Sequence, residues 1–196
     1  TVTPIINMLI GFFLGLASGA GVVISQYYGA KKPDKVRQTV HTSIVMTLVL
    51  GVVLTALGIL IIPTMLQLMK TDLQAVPEAT TYLTIYYAGV LGLMLYNMGS
   101  GILRAVGDSK RPFYFLVVSA LLNIALDLLF VIGFGMGVEG VAYATILSQG
   151  VSAVLILAVL ARSGSCIQLH WRELRVSPRI LRQIMRIGIP SALQMA

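Results

Sequence analysis

Apolar residues run through this chain in long unbroken stretches, and the interruptions between them are short and charged. Residues 1–30 hold no Asp, Glu, Lys or Arg, and neither do 38–69, 79–103 and 140–161. A fifth stretch, 112–138, is interrupted only by Asp127. Each is long enough to cross a ~30 Å hydrocarbon layer, which takes about 20 helical residues. In lipid a helix satisfies its own backbone, whereas an isolated strand cannot, and the alternating segments of roughly ten residues that build membrane barrels are absent. The pattern predicts an all-α membrane protein: a polytopic bundle of five transmembrane helices plus the start of a sixth.

Composition agrees. The chain is 57% hydrophobic and 11% charged, against roughly 25% charged residues in a globular domain. A net charge of +7 could signal nucleic acid, but the positions of the charges argue otherwise. If five spans alternate, the loops 31–37, 104–111 and 162–186 share one side, and they hold thirteen of the fourteen Lys and Arg residues. The opposite loops, 70–78 and 133–140, hold only Lys70, beside Asp72, Glu78 and Glu139. The positive-inside rule makes the basic loops cytoplasmic. The expected setting is the plasma (inner) membrane, with lipid as a partner and no nucleic acid. Thr1 in place of Met, and a last apolar segment "RIGIPSALQMA" that breaks off early, point to a fragment.

Other motifs have structural readings. Gly11, Gly15 and Gly19 stack on one helix face, where small residues let a neighbouring helix approach closely. "GMGVEG" at 135–140 matches the GxGxxG dinucleotide pattern, but it follows a span and has no acidic residue about 20 positions on. It reads as a tight external turn. His41 and His170 stand apart from each other and from metal ligands in sequence, and Cys166 is a lone thiol in no metal-ligand spacing. No nucleophile with a base and no phosphate-cradling loop occurs, so neither an enzyme nor a cofactor is expected. "SPRILRQIMRIGIP" reads as the basic lead-in to the next span, in preference to an interfacial amphipathic helix.

Asp127 is the exception that needs a role. A charge inside a span costs roughly 2.5–3.5 kcal/mol on insertion scales. Asn123 lies one turn away on the same face, so its amide is expected to hydrogen-bond the carboxyl. The span enters near Pro112, which puts Asp127 about 22 Å deep at 1.5 Å per residue, toward the external side. Tyr82 and Thr145 lie near the external ends of their own spans, so all four polar groups are expected in one outer layer. A carboxyl in such a place can exchange a proton or hold Na⁺ with neighbouring oxygens. The plainer alternative is an Asp that stays protonated and clasps two helices.

Four segments taken together resemble the multidrug and toxic compound extrusion (MATE) family: "ISQYYGAKKPDKVR" at 24–37, "GILRAVGDSKRP" at 101–112, "NIALDLLF" at 123–130 and "GVEGVAYATILSQ" at 137–149. The resemblance implies a twelve-helix antiporter of two six-helix lobes. This chain would supply helices two to six as an N-lobe bundle (1–161), an inter-lobe linker (162–186) and the start of the first C-lobe helix (187–196). Family members with an N-lobe cation site build it from an Asp of helix one, an Asn and an Asp of helix five, a Tyr of helix four and a Thr of helix six. The matching positions are Asn123, Asp127, Tyr82 and Thr145, with Na⁺ at Asp127 and Asn123 as one option. The helix-one Asp has no counterpart here.

The implied function is H⁺- or Na⁺-coupled export of organic, often cationic, drugs, with the remaining helices of the transporter as partners. Two alternatives stand beside it. One is a flippase for lipid-linked oligosaccharide from the same superfamily, against which the lack of Lys and Arg in the spans argues. The other is a non-transporting structural subunit.

Overall fold

The computed structural model describes residues 3–70 and 72–195, leaving aside the side chains of residues 3–7, 9 and 195. Thr1 and Val2 of the first expected span, Thr71 of the expected 70–78 loop and Ala196 lie outside the described residues. The described residues form six α-helices: α1 (Thr3–Gly29), α2 (Pro33–Leu68), α3 (Val76–Ala105), α4 (Lys110–Asp127), α5 (Val138–Arg162) and α6 (Pro178–Met195). A π-helical turn, Leu128–Gly133, extends α4, and a short 3₁₀ helix, Trp171–Glu173, interrupts the loop before α6. Among the described residues there is no strand.

Among the described residues, four segments are long and apolar enough to cross a membrane: Ile10–Gly29, Pro33–Leu68, Lys110–Gly133 and Val138–Arg162. The fifth expected span, α3, has ample length at 30 residues. Its tyrosines, threonines and Asn97 make it the most polar of the five. Those groups do not stay idle in the bundle: Tyr96 donates its hydroxyl to Pro112 O (2.8 Å), and Asn97 Nδ2 donates to Leu93 O (2.8 Å).

Glycines set how the helices meet. A Cβ on Gly15 would collide with the backbone of Ala192, and one on Gly19 would lie 2.6 Å from Gly188 N, so α1 and α6 touch backbone to backbone in antiparallel register. The expected glycine seam is therefore real at these two positions, and its partner is α6. A Cβ on Gly99 would sit 2.7 Å from Ile156, and Gly89 faces Ile146, which runs α3 parallel to α5. Gly51 and Gly58 face Leu91 and Tyr87, which sets α2 antiparallel to α3. Successive helices alternate in direction, so the basic loops do gather at one end of the bundle.

The core is concentrated at that end. Leu16, Ile24, Ile44, Met98, Ile102, Ile156, Leu160, Ile180 and Ile184 are all 1% exposed or less and form one cluster. A smaller cluster of Ile62, Leu66, Leu83 and Tyr87 joins α2 to α3 at the other end. Polar residues buried in α2 are satisfied within the helix: Thr39, Ser43 and Thr47 donate to the carbonyls of Lys35, Thr39 and Ser43 at 2.7–2.8 Å. Of α4, only Pro112 and Ser119 are buried, so this helix lies at the rim.

One expectation changes here. The histidines are not isolated: the backbone N–H of His170 donates to His41 Nε2 (3.1 Å), and the two rings stack with centroids 6.3 Å apart. Because His41 Nδ1 lies 2.8 Å from Arg37 O, the ring bridges the first turns of α2 to the loop before α6. Their separation of 129 positions hides this from a local reading. The basic lead-in runs as one helix with the segment that follows, and its Ile180 and Ile184 are buried against protein while Arg179, Arg182 and Arg186 stay exposed.

Gly19→Ala forces α1 and α6 apart and should cost about 1–3 kcal/mol, as overpacking typically does. Gly29→Ala, with nothing within 4 Å of the added carbon, should be neutral within about 0.5 kcal/mol. Reversible unfolding of the two full-length variants in mixed micelles checks the contrast.

Candidate functional site

The half-buried stripe of α4 carries Phe115, Ser119, Asn123 and Asp127, spaced by one turn, while Leu116, Leu121, Ile124 and Leu128 on its other faces are exposed. Asn123 and Asp127 therefore face protein, as the cost of a carboxyl in lipid requires. The register against α5 is fixed at two points. Ser119 donates to Ser148 O at 2.9 Å, and a Cβ on Gly140 would approach Phe130 Cβ to 3.2 Å. Between these points Asn123 comes level with Thr145, and Asp127 with Ala142.

The register of α5 on α3, from Gly89 facing Ile146 and Gly99 facing Ile156, places Tyr82 level with Glu139, beyond Asp127. The four predicted residues thus lie at the same end of the bundle, far from the basic loops. They are spread over two turns, roughly 9 Å along the helix axes, and do not share one layer.

No hydrogen bond joins any two of them. The Thr145 hydroxyl donates to Val141 O (2.9 Å), and Tyr82 stacks on Tyr86 with ring centroids 6.3 Å apart. The expected Asn123–Asp127 hydrogen bond is not made: Asn123 Nδ2 and Asp127 Oδ1 are both buried without a partner. The helix changes type at this point. Asp127 precedes the π-helical turn, in which Phe134 N–H reaches back five residues to Leu129 O at 3.0 Å. The π turn ends the helix at Gly133, and apolar periodicity carried no signal for it.

An unpaired buried donor or acceptor costs about 1–3 kcal/mol. A proton on the carboxyl, or a cation against it, relieves the acceptor. For Na⁺ the donor chemistry fits: Asp127 carboxylate and Asn123 Oδ1 are hard oxygens, and no trio of His, Cys, Asp or Glu forms among the described residues, so carbonyls and hydroxyls would complete the shell.

A second feature was not foreseen. Between α1 and α3, toward the basic-loop end, lies a cavity of about 610 Å³ whose polar lining is Ser18, Ser25, Gln26, Asn97 and Arg104. Gly21 and Gly101 thin its walls, since a Cβ on either would come within 3.8 Å of the opposite helix. The signal lay in the spacing of Ser18, Gly21, Val22 and Ser25, one small-residue face of α1.

Comparison with known proteins agrees with this architecture. The MatE family model matches residues 1–129, about two-thirds of the chain. The chain belongs to the MatE family of membrane transporters. It is 33% identical over 199 residues to the probable multidrug resistance protein YoeA of Bacillus subtilis (strain 168), covering 98% of this chain and 43% of that protein. Among solved structures it resembles the inward-facing conformation of a multidrug resistance MATE family transporter of the MOP superfamily, with a TM-score of 0.90 at 31% identity over 99% of this chain and 44% of that one. The outward-facing conformation of such a transporter gives the same TM-score, 0.90, over 98% and 43%. The chain spans less than half the length of these relatives.

Ser119→Ala removes the one side-chain hydrogen bond between α4 and α5 among the described residues. In full-length protein it should cost about 0.6 kcal/mol, the average for interhelical bonds in membrane bundles, measured by denaturant unfolding in micelles.

Proposed function

We propose that this chain forms the N-terminal transmembrane part of a cation-coupled antiporter that exports organic, often cationic, drugs across the inner membrane. The observation that carries the reading is the buried, unpartnered Oδ1 of Asp127 beside the equally unpartnered Nδ2 of Asn123, in a bundle whose helices α1–α5 hold Lys and Arg only in the end turns beside the basic loops. Uptake of H⁺ or Na⁺ at Asp127 neutralises a charge that the apolar surroundings penalise, and its release restores it. Tyr82 and Thr145 would complete the cation site in the turns on either side.

The cavity between α1 and α3 supplies polar contacts at the opposite end, where a drug would enter from the side of the basic loops. Equal likeness to an inward- and an outward-facing relative supports a unit that keeps its shape while the rest of the transporter rocks against it, the alternating access of many secondary transporters. The ion's charge state would then bias one conformation over the other.

In full-length protein, Asp127→Asn should reduce drug resistance to the level of cells lacking the transporter, with expression unchanged by immunoblot. Coupled efflux that survives at the wild-type rate overturns the reading. Drug-dependent proton or Na⁺ release from purified protein separates a coupling Asp127 from a structural clasp, which releases nothing. For orientation, in a Cys166→Ser background, Lys32→Cys should react with a membrane-impermeant maleimide only in inverted vesicles, and Leu73→Cys only in intact cells.

A further inference from the structure

At the basic end of the bundle two concavities meet. One, of about 330 Å³, is lined by Arg37, Gln38 and His41 of α2 and by Glu173 and Arg175 of the loop before α6. The other, of about 310 Å³, is lined only by apolar side chains, among them Val45, Val49 and Leu50 of α2 and Val176 next to Arg175. His41, Val45 and Val49 are successive turns of one helix, so the charged hollow passes into the apolar groove along α2.

The loop that forms the junction is fastened to the helix beneath it. Ser177 N–H donates to Thr42 Oγ1 (3.2 Å) and His170 N–H to His41 Nε2 (3.1 Å). Arg175 and Val176 lie between these two anchors, which hold one side chain over the hollow and the other over the groove.

From this continuity we infer that the protein binds one anionic phospholipid of the leaflet on the basic-loop side, its phosphate between Arg37 and Arg175 and an acyl chain along Val45 and Val49. The charge balance selects the headgroup. Two guanidiniums against the single carboxylate of Glu173 leave a net positive site, and an arginine fork matches phosphate oxygens two at a time. A zwitterionic headgroup brings its own ammonium and gains less. The groove selects a lipid over free phosphate, because Val49 and Val176 are 57% and 43% exposed and Val45 and Val49 lie within the charge-free stretch of α2 that begins at residue 38. Basic pockets of this kind on the cytoplasmic side recognise anionic headgroups in other membrane proteins.

The test uses delipidated full-length protein in detergent, with native mass spectrometry counting bound lipid. Phosphatidylglycerol and phosphatidylcholine of identical chains are titrated separately, and inorganic phosphate is added as a competitor. Phosphatidylglycerol should bind tighter, and each of Arg37→Gln and Arg175→Gln should weaken it about five-fold, as expected for one surface cation. Val49→Trp, which fills the groove and leaves the charges alone, should weaken both lipids. Equal binding of the two lipids, no effect of either arginine variant, or displacement by millimolar phosphate alone overturns the site. If an arginine variant fails to fold, the lipid preference of wild type and the Val49→Trp result still decide.

Discussion

A polar atom inside a membrane bundle has no water to turn to, so it must find its partner within the protein or leave a debt that something else meets. This bundle meets nearly all of them internally. Buried hydroxyls of α2 bond the carbonyl one turn back, Ser119 reaches across to α5, and Tyr27 donates to Gln183 across α1 and α6 at 2.7 Å. Among the described residues the buried side-chain atoms without a partner are Ser100 Oγ, Asn123 Nδ2, Asp127 Oδ1 and His170 Nδ1. Two of these four belong to neighbouring turns of α4, in an otherwise apolar run.

Close helix approach follows from the same scarcity. Lipid tails are as apolar as leucine, so burial gives helices little reason to associate, and packing must do it. Glycines at the α1–α6, α2–α3 and α3–α5 contacts let neighbours sit against backbone. The result is a bundle tied firmly at the basic end, where the core, the histidine pair and the bonded loop coincide. At the other end α4 stands at the rim and continues as a π turn. Packing is thus tight at the basic end, and the unpartnered carboxyl lies on the helix at the rim.

The histidine pair shows how a loop becomes part of such a body. His41 is 4% exposed, and its Nδ1 and Nε2 lie against backbone groups of two different segments. A helix and a loop far apart in sequence are thereby held in one relation, which gives the charged hollow beside Arg175 a defined shape.

Much of this was legible in the amino-acid order. Uninterrupted apolar runs determine helices of membrane length because a lipid environment permits little else. The placing of thirteen basic residues on alternate loops determines that those loops share an end, and a lone Asp in an apolar run announces a role by its cost. Asn123 and Asp127 were correctly put on one face, and Gly15 and Gly19 on a contact. What the order could not reveal was which surfaces meet. That α6 covers the glycine face, that His41 finds His170, that Asn123 and Asp127 leave each other unbonded at a π turn, and that Tyr82 and Thr145 lie in different turns all depend on helix registers. Those registers are set by side-chain packing between segments distant in the chain, and no local pattern of hydrophobic and polar positions encodes them.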